Sequence, residues 1–210
     1  MNGATQALES QGWWLASRAS GVVALVLVTF SVGIGLAMAS KVMRGPGLSR
    51  KLMALHEHTA LAGLIAIAVH GIALIGDSWL KPGVAGVTVP FVIDYRPFFT
   101  GLGIIAGYLA LLLGLSFYLR QRIGAKLWRK AHRATVAVWA LGLIHAIGAG
   151  SDTTAIWFRW WVIATTPLIG GLLVIRVLES RAPKEAAPAK APKPAPKAAP
   201  RPKAAEPAPS

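Results

Sequence analysis

An all-α fold, a polytopic membrane helical bundle of about five transmembrane helices, is what this sequence predicts, and three observations predict it. Apolar residues make up 54% of the 210-residue chain and charged residues 14%, the balance of a protein whose solvent is largely lipid. Five segments approach the roughly 20 apolar residues that a spanning helix needs. The Lys and Arg residues outside the C-terminal tail gather mainly in two short loops, which is how basic bias orients a membrane protein.

The first span is expected over Ser20 to Ser40, entered through Trp13, Trp14 and Arg18. Glu9 is the one charge before Trp13, and neither a basic n-region nor a small-residue cleavage site is evident, so the span is expected to be retained. A basic loop with Lys41, Arg44, Arg50 and Lys51 follows. The second span is Leu52 to Gly76, and the loop from Gly76 to Pro97 balances Asp77 and Asp94 against Lys81 and Arg96. Phe98 to Leu119 is the third. After it comes the second basic loop, with Arg120, Arg122, Lys126, Arg129, Lys130 and Arg133. Ala134 to Gly150, the shortest, is the fourth span, and Ile156 to Leu178 the fifth, with Trp157, Trp160 and Trp161 where an interfacial aromatic belt falls.

Both basic loops follow odd-numbered spans, so both belong on one face, the cytoplasmic one by the positive-inside rule. The N-terminus is then outside and the C-terminus cytoplasmic, as in an integral protein of a bacterial inner or plasma membrane. The domain division expected is a bundle over 1–178 and, over 179–210, a disordered Ala/Pro/Lys-rich cytoplasmic tail with almost nothing to bury. That tail is read as a solvated tether, although its basic residues suit anionic lipid heads.

The formal charge of +14 invites a nucleic-acid reading, but its placement in loops reports topology, and no nucleic-acid partner is expected. The chain has no cysteine, which excludes disulfides, thiolate zinc, iron–sulfur clusters and covalently attached c-type haem. A bound metal must use His or carboxylate. All five histidines lie in or beside two spans: His56, His58 and His70 in the second, His132 and His145 in the fourth.

Ionisable groups inside a span are costly and mark function by default. The second and fourth spans run in the same direction, so His56 and His132 share the cytoplasmic level and His70 and His145 the outer one. At about 100° and 1.5 Å per residue, the fourteen-residue interval from His56 to His70 returns to within about 40° of the same face and climbs about 21 Å. The stripe between them reads Ala60, Gly63 and Ile67, small enough for a flat macrocycle to approach. His58 faces elsewhere and is left out of the ligand set. From His132 to His145 an ideal helix turns about 140° off register, so either His132 stands at a non-ideal first turn or the helix is overwound.

A single membrane histidine is ordinarily an interhelical hydrogen-bonding residue; four in two matched pairs fit two six-coordinate b-type haems. The metal ligands expected are therefore His56, His70, His132 and His145. A histidine-based metal ion transporter or proton relay without haem is the rival reading. It asks for carboxylates among the spans, where Glu57 stands alone near an end, and for broken paired helices, where Pro167 stands alone. No nucleophile or acid–base constellation is evident, so no catalytic residue is expected.

"LHEHTALAGLIAIAVHGIAL" and "LWRKAHRATVAVWALGLIHAIGAG" resemble the two histidine helices of the ferric reductase-like transmembrane domain, shared by ferric reductases, NADPH oxidases and the haem subunit of bacterial methionine sulfoxide reductase systems. "WLASRASGVVAL" resembles the Arg-containing entry to the helix before them. The resemblance spans about Trp14 to Val177, with basic "KAHRA" where the family is more apolar. It implies two haem b groups, an inner one on His56 and His132 and an outer one on His70 and His145. The protein would then be the haem-binding membrane subunit of an oxidoreductase, delivering electrons to ferric iron, a quinone or a partner oxidoreductase at the outer face.

The flavin and nicotinamide domains of the larger relatives have no counterpart in the sequence. "GLGIIAG" at Gly101 to Gly107 sits in a span and reads as helix packing, so no FAD or NAD(P)H site is expected and the donor is a separate flavoprotein or quinol. Arg18 and Arg133 are candidate partners for the haem propionates, since Arg offers a charged fork to a carboxylate. Trp139 lies midway between the two levels, with a packed core residue as the simpler reading.

Overall fold

Eight helices and no strand form among the described residues, which are 3–40, 42–43 and 45–181 of this computed structural model; for 3–10 the helical backbone alone is described. Lys41 and Arg44 of the first basic loop, and the tail from 182, lie outside them. Helix α1 runs Gly3–Ala39 and α2 Leu48–Ile75. The turn between them passes through Gly47 at φ 72°, a left-handed conformation that glycine adopts without Cβ strain. Helix α3, Gly83–Thr88, lies in the following loop, and α4 is Pro97–Leu115. Two short helices, α5 (Arg120–Ile123) and α6 (Ala125–His132), carry the second basic cluster. They lead into α7, Thr135–Ala149, and α8, Ile156–Arg181.

Four helices are long and apolar enough to cross a membrane: Gln11–Ala39, Leu48–Ile75, Pro97–Leu115 and Ile156–Arg181. The expected fourth span is α7, whose 15 residues reach about 22 Å, short of a hydrocarbon core of about 30 Å. Two expected boundaries are corrected. The first span starts nearer the N-terminus, because apolar Trp13, Trp14 and Leu15 extend it and the charge of Arg18 is met by Asp152. The third ends at Leu115 rather than Leu119, because the chain tightens into i→i−3 bonds. Phe117 N–H donates to Gly114 O at 3.2 Å and Tyr118 N–H to Leu115 O at 3.1 Å.

Helices α1 and α2 form one antiparallel pair, α4 and α7 a second, and α1 also packs on α7. The core at their junction is Val32, Leu36, Trp139 and Leu143, closed by Ile169 of α8, which is 2% exposed. Small residues let the helices approach, as expected where lipid gives no hydrophobic drive to association: Gly63 lies against Leu27 and Val28, Gly107 against Ile67, and Gly33 against Ile169. Phe30, Ile65, Ile72, Leu112 and Leu168 are each more than half exposed, a distribution that would aggregate in water and is satisfied by acyl chains.

Candidate functional site

His56 and His70 stand on α2, His132 at the end of α6 and His145 on α7, and α2 and α7 do not pack closely on one another: α2 rests on α1 and α4, while α7 rests on α4 and α1. Across the space between them the imidazoles meet in pairs. The ring centres of His56 and His132 are 6.0 Å apart with planes at 89°, and those of His70 and His145 are 6.3 Å apart with planes at 70°. Two imidazoles on opposite sides of one metal are separated by two metal–nitrogen bonds of about 2.0 Å and two nitrogen-to-centre lengths of about 1.15 Å, or about 6.3 Å in all. The side chains present therefore fit an axially ligated iron. Among the described residues no third His, Asp or Glu joins either pair, so each pair offers the two ligands that a four-coordinate macrocycle leaves open.

Three of the four rings are seated alike. Nδ1–H of His70 donates to Ser17 O at 2.8 Å, that of His56 to Ser31 O at 2.8 Å, and that of His145 to Phe99 O at 2.9 Å. A carbonyl acceptor fixes the proton on Nδ1 and leaves the Nε2 lone pair for a metal. The hydroxyls of Ser17 and Ser31 stand beside the same nitrogens at 3.2 and 3.1 Å.

Each of these carbonyls also serves its own helix, and the residue four positions on is glycine in every case. Gly21 lies against His70, Gly35 against His56 and Gly103 against His145. Without a Cβ at that position the imidazole reaches a carbonyl that a helix normally screens. These glycines and carbonyls are the functional residues that sequence reasoning missed, and a signal for them existed. On α1, "SRASG" and "SVGIG" repeat Ser-x-x-x-Gly at the fourteen-residue interval that separates His56 from His70. Of the stripe Ala60, Gly63 and Ile67, expected to let a flat macrocycle approach α2, Gly63 lies against Leu27 and Val28 of α1.

His132 is different. It ends α6, and the chain turns at Arg133 and Ala134 before α7 begins, with Ala134 N–H bonded to Ala131 O and Ala137 N–H to Ala134 O. The 140° mismatch thus disappears because His132 and His145 stand on separate helices. Nδ1 of His132 is buried without a hydrogen-bond partner among the described residues, and the ring stacks on Trp128 at 4.9 Å and 24°. Burial, and then the nearby His56, push its pKa below the ordinary histidine value, which keeps the neutral, ligating form. His58 is exposed and turns back to Ala54 O of its own helix.

Beside the outer pair, Arg18 is bound by the buried carboxylate of Asp152, with Arg18 Nε–H donating to Oδ2 at 2.9 Å, and its guanidinium lies over Trp14. Its carboxylate partner comes from the turn between α7 and α8, 134 residues away. Arg133 is exposed next to His132. Trp139 is 7% exposed and donates its Nε1–H to Thr29 Oγ1 at 3.1 Å, a core residue. Arg18→Leu strips a buried carboxylate of its cation. A loss of about 1–3 kcal/mol is expected, less than for a fully enclosed pair because Arg18 is 40% exposed. Asp152→Asn should cost less than half of that, as thermal unfolding in detergent would register.

The loop after α2 is stitched over the same end. Asp77 Oδ1 accepts the N–H groups of Trp79 and Leu80 at 2.8 and 2.9 Å, while Tyr95 OH and Arg96 bond to the last carbonyls of α7, Ala149 O and Gly148 O. Trp79, Lys81, Asp94 and Tyr95 help to line a cavity of about 320 Å³ there. "GLGIIAG" is helical and packs through its glycines against Phe91, His145 and Ile67.

The family model described as ferric reductase like transmembrane component matches residues 20–143. The matched segment contains His56, His70 and His132 and stops two residues before His145. No solved structure matches the chain.

Proposed function

This chain belongs to the ferric reductase-like transmembrane component family, and on that footing we propose that it is a di-haem cytochrome b that moves electrons across a bacterial inner membrane. At family level it is an integral membrane component of transmembrane electron transfer. The finer reading assigns one haem b to His56 and His132 and a second to His70 and His145. The observation that carries it is the pairing itself: ring centres 6.0 and 6.3 Å apart, with three of the four rings held by Nδ1–H bonds so that Nε2 is the free nitrogen.

Iron porphyrin held by these four histidines would supply one-electron redox chemistry. The residues supply everything else. Ser17, Ser31 and Phe99 carbonyls orient the ligands and raise their basicity. The fourteen-residue offset on α2 sets two depths about 21 Å apart along the helix. Arg18 and Arg133 are the cations assigned to the outer and inner propionate carboxylates; Arg18 already donates to one carboxylate, that of Asp152.

Exposed Arg122, Lys126, Arg129, Lys130 and Arg133, with half-buried Arg120 beside them, support a cytoplasmic face where a separate flavoprotein docks, with a membrane quinol as the other donor class. The loop from Gly76 to Pro97 shapes the site of an outer acceptor: ferric iron, a quinone or a partner oxidoreductase. The N-terminus is then outside and the C-terminus, with its tail, cytoplasmic.

Purified protein reduced with dithionite should show sharp b-type absorbance bands, and extraction should yield about two haems per chain. A haem-free preparation that transports metal ions or protons in proteoliposomes would overturn this reading in favour of the histidine relay.

A further inference from the structure

We propose that Trp128 is the positioning residue for His132, holding by ring stacking the one ligand that no backbone carbonyl of the described residues holds. The inference rests on the di-haem reading above. His56, His70 and His145 each have a carbonyl acceptor and a facing glycine on a neighbouring helix. Among the described residues His132 has neither: it stands on α6, outside the α1–α2 and α4–α7 pairs, and its Nδ1 is buried with no partner there. A ring with no such bond is free to rotate about its side-chain torsions, and a ligand that rotates loses the preorganisation that outer-shell partners give a metal site.

What restrains it is one helical turn earlier. The indole of Trp128 lies nearly parallel to the imidazole, 4.9 Å away at 24°, on the i, i+4 face where side chains of a helix meet. The indole is fixed in turn: its Nε1–H donates to Ser116 Oγ at 3.2 Å and its edge meets Phe117 at 5.9 Å, while Arg120 caps that phenyl ring at 3.9 Å. The chain of contacts runs from the end of α4 through the basic helices to the ligand. It also explains why the chain leaves α4 at Leu115 in a tight turn: that turn places Ser116 and Phe117 under Trp128.

The consequence is a difference between the two centres. The plane of His132 is perpendicular to that of His56, at 89°, and stacking sets that angle. Perpendicular axial imidazoles leave two iron d orbitals nearly degenerate and give a strongly anisotropic low-spin electron paramagnetic resonance signal, whereas rotation toward parallel collapses the anisotropy. The orientation of one ring is therefore readable apart from overall stability.

The experiment compares haem-loaded wild-type protein, Trp128→Leu and Trp128→Phe, with His70→Ala in each background to isolate the inner centre. In Trp128→Leu the inner signal should lose anisotropy, and transfer of its haem to apomyoglobin should be faster by about 10–100-fold. The outer signal should not move, and Trp128→Phe, which can still stack, should stay close to wild type. Inner signal and transfer rate unchanged in Trp128→Leu would overturn the assignment, as would Phe behaving like Leu or both centres failing together. Wild-type protein without haem would instead overturn the di-haem reading on which it rests.

Discussion

His70→Ala should lower the haem content from about two per chain to about one and remove one of the two low-spin signals, while the bundle remains folded. His70, a ligand in the proposed di-haem reading, has the same full seat as His56: a bond to Ser17 O, the Ser17 hydroxyl alongside, and Gly21 beneath the ring. On that reading its loss would leave the outer centre with His145 alone to hold the haem. Electron passage to an outer acceptor should then fall by more than the about 10–100-fold that loss of a mere outer-shell partner costs.

The helices should survive because the ring occupies the space between α2 and α7. The core of Val32, Leu36, Trp139, Leu143 and Ile169 lies elsewhere. Pyridine haemochrome quantitation, with ferricyanide reduction in proteoliposomes, measures both effects. Full retention of two haems would exclude His70 as a ligand.

Gly103→Ala should be nearly as damaging to the same centre without touching a ligand. A Cβ at position 103 would stand 2.5 Å from Nδ1 and 2.6 Å from Cγ of His145, closer than carbon contacts allow. The imidazole is rigid and bonded to Phe99 O, so it cannot yield as a flexible chain end would. Either the ring leaves its carbonyl or α4 and α7 separate, and overpacking of this kind costs about 1–3 kcal/mol.

The three seats form a graded series, because the corresponding approach is 3.0 Å at Gly21 and 3.3 Å at Gly35. Haem affinity should fall by about 10–100-fold for Gly103→Ala, less for Gly21→Ala and least for Gly35→Ala. Gly35→Ala should act on the inner centre and the other two on the outer one. Titration of haem into apoprotein gives the order, and an equal loss at all three positions would remove the seat model.

The histidines were legible because their signal is local. Hydropathy marks the spans, and a fixed rise and turn per residue put His56 and His70 on one face whatever surrounds them. The pairing with His132 and His145 followed from two spans running in the same direction. The shape of the fourth element was less accessible. An ideal helix through His132 and His145 gives the wrong angle, and the break at Arg133 and Ala134 is made by i→i−3 bonds that no hydropathy signal marks. Likewise Phe117 to Leu119 read as apolar span, yet they turn away from α4.

The seats show the division most clearly. Ser17, Gly21, Ser31, Gly35, Phe99 and Gly103 are ordinary residues of apolar helices: Ser17, Ser31 and Phe99 act through backbone carbonyls, which every residue has, and the three glycines through the absence of a Cβ. Only the antiparallel contact of α1 with α2, and of α4 with α7, selects which carbonyls an imidazole reaches. By itself the sequence determined an all-α membrane bundle and the membership and vertical order of the four-histidine set, since these depend on composition and helical period along one chain. Tertiary structure alone decided which atoms hold each ring, that Arg18 meets Asp152, and that His132 leans on Trp128, because each is a contact between segments whose approach is set by packing.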